Sequence, residues 1–344
     1  MALAAELRFT QRKRIRISEE TLVTIVDAQP GETLPLLVQR NLAGVNLNAW
    51  VSNHQQFVAD QLLKHGAILF RNFDVVEANK FEEFIRTVSG EPLEYKERSS
   101  PRSQVSGKVY TSTDYPRQYS IFLHNENSYQ RTWPAKIFFC CATPAEQGGE
   151  TPLADCRKVY GHLSAAVRDA FVKRNWMYVR NFSNSFGLPW QEVFQTSDKS
   201  AVEQHCRRAG IEAEWLSDQQ LRIRAVRPAL ARHPRTNELV WFNHATFFHV
   251  STLEPRVREE LLRTLPEDQL PSNSYYGDGG RIEPEVLDQL RDAYKREQLS
   301  FRWQRGDVLL LDNMLVAHGR AAYSGARQIL AGMAEPLSGE QATV

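Results

Sequence analysis

Three side chains in this sequence have the types and spacing of a metal site. His124-Asn125-Glu126 ends a strand-like segment, and His318 follows a second one, Asp307-Val-Leu-Leu-Leu311, after a tight Asp312-Asn313 turn. In an extended chain residues i and i+2 point to the same face, so the His124 imidazole and the Glu126 carboxylate converge. Two imidazoles and one carboxylate leave three positions open on an octahedral ion, which is the facial triad of non-haem Fe(II) oxygenases. Two strands of a sandwich suit the pinching of one ion. Alone, the triplet is weak, because a chain with nine histidines produces such combinations by chance. His54, His65, His162, His205 and His233 lie among polar neighbours and suit surface or capping roles. His244 and His249, in Phe242-Asn-His-Ala-Thr-Phe-Phe-His249, either line a pocket or cap a core, and the structural role is favoured.

The flanking residues strengthen the triplet. Gly148-Gly-Glu-Thr151 lies one strand beyond the His-x-Glu pair, and Arg327 begins the last strand-like segment after His318. An oxygenase of this kind must hold the distal carboxylate of a 2-oxo diacid, and an Arg with a hydroxyl beside it offers charge-assisted hydrogen bonds in a fixed fork. Thr151 and Arg327 are candidates for that clamp.

The stretches Tyr110-Thr-Ser-Thr-Asp-Tyr-Pro116, Leu123-His-Asn-Glu-Asn-Ser-Tyr129, Trp133-Pro-Ala-Lys136, Pro144-Ala-Glu-Gln-Gly-Gly-Glu-Thr-Pro152 and Asn313-Met-Leu-Val-Ala-His-Gly-Arg320, with the early His65-Gly-Ala-Ile-Leu-Phe-Arg-Asn-Phe73, carry a resemblance. Over roughly residues 60 to 336 the chain resembles the taurine dioxygenase and clavaminate synthase superfamily of Fe(II)/2-oxoglutarate oxygenases. Within it, the chain is most similar to the SyrP-like amino-acid β-hydroxylases of nonribosomal peptide biosynthesis. The resemblance implies a double-stranded β-helix, a cupin-like jelly roll. It implies His124, Glu126 and His318 as ligands of Fe(II), and Thr151 and Arg327 as contacts to the 2-oxoglutarate C5 carboxylate. In several relatives the corresponding Arg lies further along, at positions occupied here by Ile329 to Met333, so Arg327 suits a shortened loop and Arg320 is the fallback. Many members carry Asp where this chain has Glu126, a change that keeps the ligand chemistry. Related halogenases replace the carboxylate with a small residue, so Glu126 argues against halogenation.

The implied activity is hydroxylation of an unactivated C–H bond of an amino acid or amino-acid derivative, free or tethered to a carrier protein, in secondary-metabolite biosynthesis. 2-Oxoglutarate and O2 are the co-substrates, giving succinate and CO2. Desaturation, epoxidation or cyclisation at the same iron stay open, as does a cupin-like zinc hydrolase or ligand-binding protein, which would need no clamp for a diacid. A catalytically silent carrier-binding module is disfavoured by the intact triad. For the substrate, Arg98 and Arg102 in the polar segment 94–102, and Asn125 and Arg131 beside the triad, are candidates on an equal footing with ordinary surface charges.

Several elements must position these groups. A helix is expected from about Asn48 to Lys64, stopped by Gly66, then a strand Ala67–Phe70, then a helix from an Asp74 N-cap to Gly90. Tyr95 to Tyr119 reads as a long polar loop. Short β-like pieces follow at 120–123, 136–143, 221–226, 239–242, 299–303, 307–311 and 328–333. Helical patterns interrupt them at 155–173, 197–210, 254–264 and 284–296. Strands at both ends with helices between fit an antiparallel sandwich carrying insertions, a mainly β fold of α+β type. With no repeat or linker, a single catalytic domain over 1–344 is expected, with N-terminal helices at about 48–90 and a helical, Arg-rich insertion at about 155–298.

Composition excludes other classes. With 344 residues, 42 basic against 41 acidic side chains and 42% hydrophobic residues, the chain reads as an ordinary globular protein with no general attraction to nucleic acid or anionic membrane. No apolar run approaches the roughly 20 residues of a membrane span. The first residues place an apolar stretch before basic ones, the reverse of a secretory signal, so a cytoplasmic location is expected. Cys140, Cys141, Cys156 and Cys206 lack paired spacing and suit buried, reduced positions. Seven arginines (207, 208, 222, 224, 227, 232 and 235) face three acids (Glu212, Glu214 and Asp218) in one segment. That imbalance suggests a docking face for an acidic carrier protein or its phosphopantetheine phosphate, set against a solvated face with partners elsewhere in the fold. A homo-oligomer stays open.

Overall fold

A computed structural model describes residues 19–29, 32–94, 103–112, 115–183 and 187–342. Its centre is an eight-stranded sheet in the order Val23–Gln29, Glu32–Arg40, Ala67–Arg71, Val308–Asp312, Thr132–Thr143, Gln328–Ser338, Val109–Thr111, Gln104–Ser106. All neighbours pair antiparallel except Glu32–Arg40 with Ala67–Arg71. A three-stranded sheet, Ile121–His124, Val316–Arg320 and Leu153–Asp155, forms the smaller layer of the jelly roll.

Both faces of the large sheet are apolar, so its central strands read as continuous hydrophobic runs. Alternation still decides what each residue touches. Ile68, Phe70, Phe138, Cys140, Val308 and Leu310 pack with Val51, Val58, Leu62, Phe81, Phe84 and Ile85 of the N-terminal helices. Leu69, Ile137, Phe139, Leu309, Leu311 and Ile329 belong instead to the core shared with Leu123, Leu153, Val316 and Ala317 of the small sheet.

The expected N-terminal helix divides at His54 into Leu47–Asn53 and Gln55–His65. The His54 ring stacks on Trp50 with centroids 4.4 Å apart, and its Nδ1 bonds the Trp50 carbonyl. Gly66 stops the second helix at φ 75°, a left-handed conformation in which any Cβ would overlap Val316 Cγ2. The next helix, Ala78–Ser89, ends before Gly90 as expected but starts after Glu77 rather than Asp74. Asp74 sits at φ 58° and pairs with Arg40 at 2.6 Å.

Other expectations are corrected. Part of the polar segment 95–119 folds as a hairpin, Gln104–Ser106 with Val109–Thr111, on the edge of the large sheet. Leu299–Trp303 is no strand beyond a bridge from Leu299 to Leu153. The Arg-rich segment is not purely helical. It carries a second antiparallel sheet, Glu212–Trp215, Leu221–Arg227, Trp176–Phe182 and Ser272–Tyr276, and a pair of short strands, Leu230–Arg232 with Leu239–Trp241. Its helices Cys156–His162, Lys199–Ala209 and Pro255–Thr264 are capped by the side chains of Asp155, Asp198 and Glu254. Among the described residues no helix is long and apolar enough to cross a membrane.

Candidate metal centre

His124 is the last residue of its strand, and its direct partner across the ladder is His318 of Val316–Arg320. Opposed residues in an antiparallel pair point to the same face, which brings the two imidazole centroids to 4.6 Å. Glu126 Oε2 lies 3.9 Å from His318 Nε2. One ligand atom from each of the three residues falls within 4.8 Å of the others. Glu126 does not arrive by strand geometry: the strand stops at His124, and Glu126 opens a turn that continues through Asn127 at φ 57°. The i, i+2 expectation brings these two residues together, but through a turn and not an extended strand.

The donor set fits a divalent ion of the first transition row. His124 Nδ1 is 2.9 Å from the Phe122 carbonyl, which can only accept, so Nδ1 carries the proton and Nε2 presents its lone pair. Glu126 and His318 are buried. Phe247 covers His124 at 4.5 Å between centroids, and Phe139 lies 5.1 Å from His318, so apolar rings shield the cluster from water. His244 packs behind His124 at 5.7 Å, with its Nδ1 2.6 Å from Ser128 Oγ. Burial first, with a smaller contribution from the nearby Arg180 guanidinium, pushes its pKa well below the usual histidine value, so it is neutral at pH 7. His249 caps the next turn through the Ser251 amide, and burial beside Arg291 lowers it to about 4.

One pocket is lined by His124 and His318 together with Thr151, Arg320, Arg327, Ser112 and Ile329. Arg327 Nε donates to the Gly149 carbonyl at 2.9 Å and Nη1 to Ser112 Oγ at 3.3 Å. Gly149, at φ 75°, lets the two segments approach: a Cβ there would lie 3.0 Å from Arg327 Cδ and Nε. Burial first, then repulsion from Arg320, brings the Arg327 guanidinium down to about 10. No carboxylate pairs with Arg327 among the described residues. Arg320 uses its guanidinium differently, donating to the carbonyls of Tyr115, Pro116 and Tyr119 at 2.9 Å each. Thr151 Oγ1 accepts from Trp303 Nε1 at 3.1 Å, which leaves its own hydroxyl hydrogen to donate. A small dianion at this pocket would relieve the repulsion between the buried Arg320 and the part-buried Arg327.

Of the substrate candidates, Arg98 and Arg102 lie outside the described residues. Asn125 is fully buried, and its amide bonds the Asn313 carbonyl at 2.6 Å and Cys156 Sγ at 3.3 Å. Arg131 is not among the residues of the triad pocket; it lines a separate cavity of about 840 Å³ with Arg208, Trp133 and Phe242. The structure adds Ser112, Trp303, Phe139, Phe247 and Asn313 around the site. Ser112 and Asn313 fall inside stretches that carry the family resemblance; nothing local marks the other three.

The Arg-rich segment mostly satisfies itself. Arg224 pairs with Glu212 and Glu214, Arg222 with Asp268, and Arg227 donates to the carbonyls of Tyr129, Ala209, Gly210 and Val226. Arg232 bonds the Asn237 carbonyl. Arg207, Arg208 and Arg235 are exposed.

Comparison with known proteins agrees with this geometry. Residues 30–334 match the family described as taurine catabolism dioxygenase TauD, TfdA family. The chain is 39% identical over 301 residues to the dapdiamide synthesis protein DdaC of Enterobacter agglomerans, covering 88% of this chain and 91% of that one. It is 28% identical over 315 residues to a clavaminate synthase-like protein of Arabidopsis thaliana, covering 88% and 89%. Among solved structures it shares its fold with PvcB of Pseudomonas aeruginosa, with a TM-score of 0.56 at 16% identity over 96% of each chain. It also shares its fold with AAD-2, solved with Mn(II) and N-oxalylglycine, with a TM-score of 0.52 at 13% identity over 94% of this chain and 99% of that one. The chain belongs to the TauD, TfdA dioxygenase family and is a non-haem Fe(II)/2-oxoglutarate-dependent oxygenase.

Proposed function

We propose that this oxygenase hydroxylates an unactivated C–H bond of an amino acid or amino-acid derivative in nonribosomal peptide biosynthesis, with His124, Glu126 and His318 as the iron ligands. The observation that carries the proposal is the convergence of that triad on a pocket holding Thr151 and the part-buried Arg327. When bound, iron and 2-oxoglutarate supply the oxidising chemistry, in which O2 and the diacid yield succinate, CO2 and one oxygen atom for the substrate.

The protein's part is binding, orientation and exclusion of water. The Phe122 carbonyl holds His124 with Nε2 directed outward. Arg327 and the Thr151 hydroxyl bind the distal carboxylate of the diacid, and Arg320 holds the 115–119 segment against the same pocket. Phe139 and Phe247 keep the metal's surroundings dry, which strengthens every charge interaction inside. An amino-acid-type substrate is supported by the likeness to DdaC, whose name places it in dapdiamide synthesis. Arg98 and Arg102 are the proposed partners of the substrate carboxylate. If the substrate arrives on a carrier protein, the exposed Arg207, Arg208 and Arg235 are the available docking charges of the Arg-rich segment.

Anaerobic addition of Fe(II) and 2-oxoglutarate tests the site. A visible charge-transfer band is expected, and His318→Ala should abolish it; no band from the intact protein would sink the iron assignment. Succinate formation stimulated by free or carrier-bound amino acids, followed by mass analysis of the product, tests the substrate and separates hydroxylation (+16 Da, roughly, for one oxygen) from desaturation.

A further inference from the structure

His124 and His318 hold each other across a strand ladder, whereas Glu126 lies beyond the end of that ladder. Its peptide is held instead by one side chain from far along the chain. Asn313 Oδ1 accepts from the Glu126 amide at 2.8 Å, and Asn313 Nδ2 donates to the Glu126 carbonyl at 2.9 Å. The same Nδ2 donates to the Pro134 carbonyl at 2.8 Å. Asn313 is itself fixed through its backbone: its amide donates to the Ala135 carbonyl at 2.9 Å, and its carbonyl accepts from Asn125 Nδ2 at 2.6 Å. It is fully buried and sits in the turn that leads into the strand carrying His318.

We propose that Asn313 is a positioning residue for the metal site, its carboxamide replacing the missing ladder at Glu126 and setting where the carboxylate stands relative to the two imidazoles. A carboxamide offers a donor and an acceptor on one planar group, which matches the N–H and C=O of a single residue as a neighbouring strand would. Both Nδ2 hydrogens and Oδ1 are engaged, so the group cannot rotate without breaking bonds at a site water does not reach. Because the turn bearing Asn313 also delivers His318, one residue ties the separation of Glu126 from His318 to the packing of the strand turn. Metal affinity depends on that separation.

The proposal rests on the triad being the iron site, and the test separates the two. Asn313→Asp keeps the shape and the acceptor for the Glu126 amide but sets an oxygen against the Glu126 and Pro134 carbonyls. Co(II) binding to the otherwise ligand-free protein is measured by anaerobic titration of its visible absorption, and amide exchange is measured for peptides spanning Glu126 in metal-free protein. The expected result is a Co(II) dissociation constant raised about 10- to 100-fold, with faster exchange at Glu126. Arg71→Met is the control: it breaks the 2.7 Å pair with the buried Asp307, next to the large sheet, and is expected to leave the dissociation constant within about twofold. A folded Asn313→Asp protein that binds Co(II) like the wild type would overturn the proposal, as would an equal loss in the Arg71→Met protein. If Asn313→Asp does not fold, Asn313→Ser is measured in the same way, and failure of both to fold makes the residue purely structural and also overturns it. Absence of Co(II) binding by the wild type would overturn the iron site itself.

Discussion

Arg327→Met separates what a part-buried cation costs from what it does. The Arg327 guanidinium is brought down from its ordinary 12.5 to about 10, chiefly by burial and next by Arg320. Its folded pKa lies below its unfolded one, so folding disfavours the charged form. The resulting destabilisation is present in full below about pH 10 and is relieved as pH rises towards 12.5. A depression of that size corresponds to about 3 kcal/mol. Methionine removes the charge but leaves the Gly149 carbonyl without its donor, at a cost of about 1–3 kcal/mol. Without 2-oxoglutarate the variant is therefore expected to lie within about 2 kcal/mol of the wild type, on the stabilised side. Binding of the diacid moves the other way, because losing one partner of a charge-assisted pair costs about 2–5 kcal/mol, or roughly 30-fold or more in Kd. At a ligand concentration about 100 times the wild-type Kd, the wild type gains about 2.7 kcal/mol and a 30-fold weaker variant about 0.9 kcal/mol. For 344 residues, unfolding entropy near 0.7 kcal/mol per degree converts these gains to thermal shifts of about 4 °C and about 1 °C. The assay is anaerobic thermal unfolding with Mn(II) in place of iron, with and without 2-oxoglutarate. A full wild-type shift in the variant would refute the role of Arg327. A loss of more than about 4 kcal/mol without the diacid would refute the claim that the charge is a net cost.

Two further outcomes follow from packing. Gly66→Ala should destabilise by about 2–4 kcal/mol in urea unfolding, since the left-handed backbone strains any Cβ and Val316, at the start of the His318 strand, fills its place; a loss under about 1 kcal/mol would contradict the contact. Burial pushes the thiols of Cys141 and Cys156 up to about 12 and that of Cys140 higher still, so these cysteines should stay unmodified by a thiol reagent in the native protein and react on unfolding. Rapid native labelling of Cys156, buried against Asn125, would mean that the core beside the triad opens far more often than its packing implies.

The parts of this protein that were legible in its sequence are those specified by neighbours in the chain. Gly66 and Gly90 end helices where expected, because caps act within one turn. The continuous apolar runs at Lys136–Thr143 and Asp307–Leu311 declared the central strands, and His124-x-Glu126 with His318 suggested the metal chemistry, since a donor set is a matter of residue type. The strands Val23–Gln29 and Glu32–Arg40 were not legible, nor were three strands of the four-stranded sheet in the Arg-rich segment, where only Leu221–Arg227 was expected: their patterns are weak, and what stabilises them is pairing with distant partners. The same holds inside the site. Arg327 was preferred to Arg320 on sequence register alone; the structure shows where their donors go, three loop carbonyls for Arg320 and the pocket wall for Arg327. Asn125 and Arg131 flank the triad in the chain, yet one is turned into the core and the other lines a different cavity. Glu126 does converge with the two histidines, but the group that holds its peptide stands 187 positions away, in a turn no local pattern connects to it. Residue type sets which bonds a side chain can make; only the tertiary fold sets which partners come within reach, because hydrogen bonds and ion pairs are decided over a few ångströms of space and not along the chain.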